Sequence, residues 1–205
     1  MNEQASQTQI RNGRVKLIAL LAIFIFPLVT AYVMLNQYQS GTRFEISTHG
    51  ELISPAVPIE DFKLSAVREQ TTIDRAWLEE SWTLVYFAGR VCGAVCEQNI
   101  YHMRQIHISL GKRSHRLQRL AVVGDVPAML EFLGDEYPHL IVAEASGPDQ
   151  LANQVGAAVA SMPRLDDAMY LIDPFGNLMM RFSPEADPKG VLSDIKRALK
   201  ASRIG

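Results

Sequence analysis

From Leu17 to Leu35 the chain reads LIALLAIFIFPLVTAYVML, 19 residues without a charge. Beyond it the apolar positions break into short runs of changing period. Trp82–Phe87 (WTLVYF) is rich in β-branched and aromatic residues and predicts a buried central strand. Glu97–Leu110 has the composition and length of a helix. Leu120–Val123 predicts a second buried strand, and Pro127–Tyr137 a helix with Pro127 in its first turn. Leu140–Val142 reads as a brief strand and Asp149–Val155 as a helix. Ala168–Ile172 and Asn177–Phe182 read as strands joined by the turn Asp173-Pro174-Phe175-Gly176. Asp187 and Pro188 open a last helix to about Arg203, with Val191, Leu192, Ile195 and Leu199 on one face. Upstream, residues 40–63 are punctuated by Gly41, Gly50, Pro55 and Pro58. They read as a stalk that becomes ordered, with Ile59–Leu64 as a short strand and Arg75–Ser81 as a short helix or turn. Strands alternating with helices, then a hairpin and a final helix, predict an α/β fold. Its mixed sheet should carry helices on both faces.

The first apolar run is of another kind. As a helix it extends roughly 28 Å, close to the hydrocarbon thickness of a bilayer. A mid-run proline (Pro27) is tolerated there, and Tyr32 and Tyr38 suit the interface. A cleaved signal peptide would have a shorter apolar core and a small-residue cleavage site, and Ala31-Tyr32-Val33 is a poor one. A retained transmembrane anchor is the better reading. Arg11, Arg14 and Lys16 precede the span against Glu3, while Glu45, Glu51 and Glu60 follow it with Arg43. Positive charge stays inside, so the N-terminus should be cytoplasmic. The expected organisation is a cytoplasmic tail (1–16), an anchor (17–35), a stalk (36–50) and one outer domain (51–205). In a bacterium this is a single-pass inner-membrane protein with a periplasmic domain.

Composition narrows the function. The chain has 205 residues, 48% of them apolar, and a formal net charge of -2. A chain this neutral has no overall basic field, which argues against a nucleic-acid binder held by phosphate contacts. Two cysteines are too few for a disulfide scaffold or a Cys-rich zinc site. There is no GxGxxG and no P-loop, so nucleotide binding has no support.

Both cysteines lie in Gly89-Arg90-Val91-Cys92-Gly93-Ala94-Val95-Cys96-Glu97, after the central strand and before a helix. A thiol at a helix N-terminus feels the positive end of the dipole, which favours thiolate. Thiolate attacks disulfides and binds soft metals such as Cu(I). Four apart, Cys92 and Cys96 can share a face, form a disulfide or chelate one ion. The plainer alternative is a pair of inert core cysteines or a structural disulfide. Arg90, beside the motif, can lower a thiol pKa.

At this point the chain resembles the Sco/SenC family of membrane-anchored, thioredoxin-fold proteins that assist copper-centre assembly in cytochrome c oxidase. The resemblance rests on the N-terminal anchor, on Leu84-Val85-Tyr86-Phe87 leading to Cys92-x-x-x-Cys96, and on Tyr170-Leu171-Ile172-Asp173-Pro174-Phe175-Gly176. Pro127–Leu133 and Gly147–Leu151 fall where family members carry similar segments. It covers roughly Gly50 to Arg203. It implies a thioredoxin-like mixed sheet with Cys92 and Cys96 as the redox-active pair or as two Cu(I) ligands. It also implies partners among the oxidase subunits or their assembly factors, beside the lipid bilayer itself. Three family features differ here, the first being that the acidic segment usual after the second strand is reduced to Gly124-Asp125. Gly93 and Glu97 stand where prolines usually follow the cysteines, and Leu165 stands where the family supplies a histidine as third copper ligand.

Other residues read more plainly. His102 and His107 fit packed or solvated side chains on the helix after Cys96. Lys112-Arg113-Ser114-His115-Arg116, with Arg119 beyond, fits a solvated loop, or a contact to an acidic partner or lipid headgroups. Met162, Met169, Met179 and Met180 fit core filling rather than soft-metal ligation. Met162-Pro163 is a loose candidate for a cis-proline facing the cysteines. A peroxidase is disfavoured because no TxxC is present. Two classes of function remain: a thiol–disulfide oxidoreductase or Cu(I)-handling assembly factor, in which Cys92 attacks and Cys96 resolves, and a non-catalytic anchored docking module without copper or redox chemistry.

Overall fold

The computed structural model describes residues 16, 20–33, 36, 48–79, 81–89, 91–145, 150–162 and 167–202. The chain divides into two units, Met1–Ser47 and Thr48–Gly205. In the first, residues 20–33 are helical and every side chain is exposed. The Thr30 hydroxyl donates to the carbonyls of Phe26 (2.9 Å) and Pro27 (3.0 Å), so it is satisfied within the helix. Residues 17–19 and 34–35 of the apolar run lie outside the described residues. Among those described, no helix is long and apolar enough to cross a membrane.

The second unit carries eight strands and five α-helices among the described residues. The strands are β1 (Glu51–Pro58), β2 (Lys63–Ser65), β3 (Thr72–Asp74), β4 (Trp82–Phe87), β5 (Leu117–Val123), β6 (Leu140–Glu144), β7 (Met169–Ile172) and β8 (Asn177–Phe182). The helices are α1 (Arg75–Leu78), α2 (Ala94–Ser109), α3 (Val126–Leu133), α4 (Gln150–Ala158) and α5 (Pro188–Ala201). Six strands form one sheet in the order β1-β8-β7-β4-β5-β6, and β2 pairs with β3 in a small hairpin. β4, β5 and β6 run parallel, while β7, β8 and β1 join antiparallel to their neighbours.

All six residues of β4 are buried, as expected of a central strand covered on both faces. Its side chains alternate between two cores. Leu84 and Tyr86 pack with Ile100, Met103 and Ile106 of α2, with Met129 and Leu133 of α3, and with Ile195 and Leu199 of α5. Val85 and Phe87 pack on the other face with Leu78 of α1 and Leu151 and Val155 of α4. Each large side chain fully buried in this way contributes about 1.5–3 kcal/mol. Met169 and Met180 are buried core residues, as their strand positions suggested. Asp125 and Asp187 cap α3 and α5 by accepting the N–H groups of Ala128 (3.1 Å) and Lys189 (3.2 Å).

Three segments differ from the sequence expectation. The punctuated stretch holds an eight-residue edge strand, β1, and the expected strand at Ile59–Leu64 is replaced by the shorter β2. Pro55 and Pro58 are compatible with an edge position, where ladder donors are dispensable. Only Ile53 of β1 is buried, so the strand carries almost no apolar signal. The basic stretch is a 3₁₀ helix, Gly111–Arg116, rather than a free loop. Arg116 donates from Nη1 to Leu199 O (2.7 Å) and from Nη2 to Ser202 O (3.0 Å), closing the C-terminus of α5.

Candidate redox site

β4 delivers the chain to the cysteine segment, and Ala88 N–H still bonds Val122 O (2.9 Å) before the chain leaves the sheet. Gly93 is the N-cap of α2, with extended backbone (φ -93°, ψ -170°) and no side chain to cap the first turn. The first intrahelical bond runs from Glu97 N–H to Gly93 O (3.0 Å). The N–H groups before it are left to the N-terminal surroundings, where the helix dipole is positive. Cys92 lies two residues before the helix, and Cys96 lies in its first turn.

The two sulfurs are joined in a disulfide, with Cα atoms 5.1 Å apart. Their environments differ. Cys96 is buried at 1% exposure within the α2 core, whereas Cys92 is half-buried and packs against that core from outside. Val91 (77% exposed) and Val95 (49% exposed) flank the pair with apolar surface. A thiolate arriving from solvent therefore meets Cys92 Sγ first. The dipole stabilises the thiolate that an exchange step releases, and Glu97 in the first turn opposes it.

Two residues before β7, Asp167 is fastened to the end of β4 and to α2. Asp167 sits in the left-handed region (φ 63°). Its N–H donates to Phe87 O (2.9 Å), its carbonyl accepts from Asn99 Nδ2 (3.1 Å), and its Oδ1 accepts from the Tyr86 hydroxyl (2.7 Å). Tyr86 and Phe87 end β4, and Asn99 lies three residues after Cys96 on the buried face of α2. Sequence reasoning missed Tyr86, Asn99 and Asp167. The one available signal was a polar residue at i+3 from a cysteine on an otherwise apolar helix face.

The remaining candidates stand apart. Among the described residues, no group of three His, Cys, Asp or Glu side chains is placed to hold a metal ion. His102 and His107 are half-buried on α2. Burial lowers the His107 pKa, helped by the positive charge of Arg119 and by His139. Arg119 is buried on β5, donates from Nη2 to Pro138 O (2.6 Å), and its pKa falls to about 10 through burial and the neighbouring Arg104. It remains charged at neutral pH. Arg90, Pro163 and Leu165 lie outside the described residues. An open cleft of about 620 Å³ lined by Asp61, Lys63, Thr72, Asp74, Arg75 and Glu79 contains no cysteine. It adjoins Gly176, in the turn at the opposite end of β7 from Asp167.

Comparison with known proteins agrees with this architecture. Residues 82–202 match the family described as transmembrane-like, thioredoxin-like, C-terminal domain. No curated protein matches the sequence. Among solved structures, copper-bound Sco1 from yeast superposes with TM-score 0.59 at 17% identity, covering 73% of this chain and 96% of its own. Apo Sco1 from Thermus thermophilus superposes with TM-score 0.59 at 15% identity, covering 76% and 99%. BsSco, described with a disulfide switch as a member of the Sco family of cytochrome c oxidase assembly proteins, superposes with TM-score 0.56 at 13% identity, covering 72% and 96%. The second unit therefore has a Sco/SenC-like thioredoxin fold.

Proposed function

The chain belongs to the transmembrane-like, thioredoxin-like C-terminal-domain family, and from that premise we propose that it is a membrane-anchored thiol–disulfide protein serving cytochrome c oxidase assembly. One observation carries the reading: a half-buried Cys92 is joined to a buried Cys96 across the start of α2, at the end of the central strand. In the reductive direction, a partner dithiol presents one thiolate to Cys92 Sγ. The Cys92–Cys96 bond breaks, a mixed disulfide forms at Cys92, and Cys96 leaves as thiolate and takes a proton. The partner's second thiolate then attacks the mixed disulfide, releasing Cys92 and leaving the partner oxidised. Run in reverse, with Cys92 attacking and Cys96 resolving, the reduced pair reduces a target disulfide, such as the cysteine pair of an oxidase copper site.

The apolar run at 17–35, the positive charges before it and the family's transmembrane-like character support a single-pass anchor. In this reading the domain works in the periplasm of a bacterial inner membrane. Cu(I) handling is the finer variant. Cys92 and Cys96 would supply two sulfur ligands, and no third His, Cys, Asp or Glu joins them among the described residues.

The test uses the full chain in its host membrane. Cys92→Ser should abolish assembly of the oxidase copper centre while the protein stays in the membrane. Normal assembly in that variant would favour the docking-module alternative and overturn the proposal. Anaerobic Cu(I) titration of the reduced chain supplies the second arm. One-to-one binding lost in Cys92→Ser would assign copper handling, and absence of such binding would leave the thiol exchange alone.

A further inference from the structure

Asn99 of α2 carries one of the buried polar atoms that have no partner among the described residues. Asn99 is 1% exposed. Its Nδ2 is used by Asp167 O (3.1 Å), but its Oδ1 is buried and has no hydrogen-bond partner among the described residues. A buried acceptor without a donor is costly, and such atoms are rare in folded proteins. Cys96 lies at i-3 from Asn99, on the same buried face of the same helix. Side chains on a helix lean toward its N-terminus and cover the preceding turn, so Asn99 lies over the turn that holds Cys96. In the disulfide, Cys96 Sγ carries no proton. Reduced, it is a thiol and a donor.

We propose that Asn99 is a redox-linked positioning residue: its Oδ1, orphaned in the disulfide, accepts the Cys96 S–H once the pair is reduced. This rests on the thiol–disulfide reading above. Asp167 supports the arrangement by taking the amide's other end, which fixes which way the carboxamide faces. The consequence is directional. The disulfide state bears the stranded acceptor, and the dithiol state relieves it. Asn99 therefore raises the tendency of the pair to be reduced. An acceptor facing Cys96 also favours its thiol over its thiolate, which leaves the first attack on a target disulfide to Cys92.

The first experiment equilibrates the full-length chain, wild type and Asn99→Leu, with glutathione redox buffers and reads the oxidised-to-reduced ratio. Leu is close in size and removes the acceptor. The ratio should rise about fivefold toward oxidised in Asn99→Leu. That corresponds to about 20 mV, at roughly 30 mV per tenfold for a two-electron couple. An unchanged ratio overturns the inference. A second measurement does not need the pair to cycle. In Cys92→Ala, Cys96 is the only thiol, and its S–H stretching band in the infrared reports the bond directly. The band should be lowered in Cys92→Ala and return to the free-thiol position in Cys92→Ala/Asn99→Leu. A free-thiol band in Cys92→Ala alone overturns the inference. Merely structural support of Asp167 by Asn99 would move neither the ratio nor the band. If the wild-type disulfide resists every dithiol, the functional reading fails, and the infrared arm still decides the role of Asn99.

Discussion

The two ends of the β4–β7 pair are built on opposite terms. At the Asp173 end, the turn is saturated. Asp173 Oδ1 accepts from Phe175 N–H (2.9 Å), Asn177 N–H (2.9 Å) and Asn177 Nδ2 (3.1 Å), and Oδ2 accepts from Asn177 Nδ2 (3.0 Å). Gly176 supplies the positive φ (76°) that the turn requires, and its N–H closes on Asp173 O (2.9 Å). At the cysteine end, α2 starts without a side-chain cap, Val91 is exposed, and Asn99 keeps an unpaired buried oxygen. Asp167, not a glycine, takes the left-handed conformation there. The difference teaches that two ends of one strand pair can treat their polar groups in opposite ways. The far end closes the hairpin, and the near end leaves donors and acceptors for a changing partner.

That contrast can be broken experimentally, beginning with its largest consequence. Cys92→Ser or Cys96→Ser should remove all disulfide exchange with a dithiol, read by partner oxidation, while Asp173→Ala should leave that exchange intact. Asp173→Ala should instead destabilise the domain by about 2–3 kcal/mol, read by denaturant midpoint, because the turn's donors lose their shared acceptor. Equal effects of the two changes on exchange would dissolve the distinction. A smaller probe of the near end is Tyr86→Phe. It deletes the bond to Asp167 and should cost about 1 kcal/mol of stability.

The smallest effect concerns pH. Burial lowers the His107 pKa in the fold below its ordinary 6.5, so the unfolded chain binds the proton more readily. Stability should therefore be fully present above about pH 6.5 and decline as pH falls below it. His107→Gln should flatten this dependence without altering the cysteine chemistry. A pH profile unchanged by the substitution would show that His107 is not its source.

Much of this was legible in the chain. WTLVYF is apolar at nearly every position because β4 is covered on both faces, and that uninterrupted run is what a buried parallel strand requires. The cysteine pair stood out because both cysteines share one strand-to-helix junction. β1 was not legible. It is held by pairing to β8, with Glu51 bonded to the buried Arg181 (3.0 Å), and backbone pairing leaves no hydrophobic period. The Asp167 contact was hidden for a related reason. It joins β4 and α2 to a residue 68 positions beyond Asn99. Only tertiary folding brings that residue to the site.

The most direct test of the account is competitive alkylation of the reduced full-length chain. A short iodoacetamide pulse at neutral pH, mapped by mass spectrometry, separates the two thiols. The account predicts that Cys92 is modified at least tenfold faster than Cys96, about the ratio expected for an accessible, dipole-stabilised thiolate beside a buried thiol. Equal labelling, or faster labelling of Cys96, would contradict it.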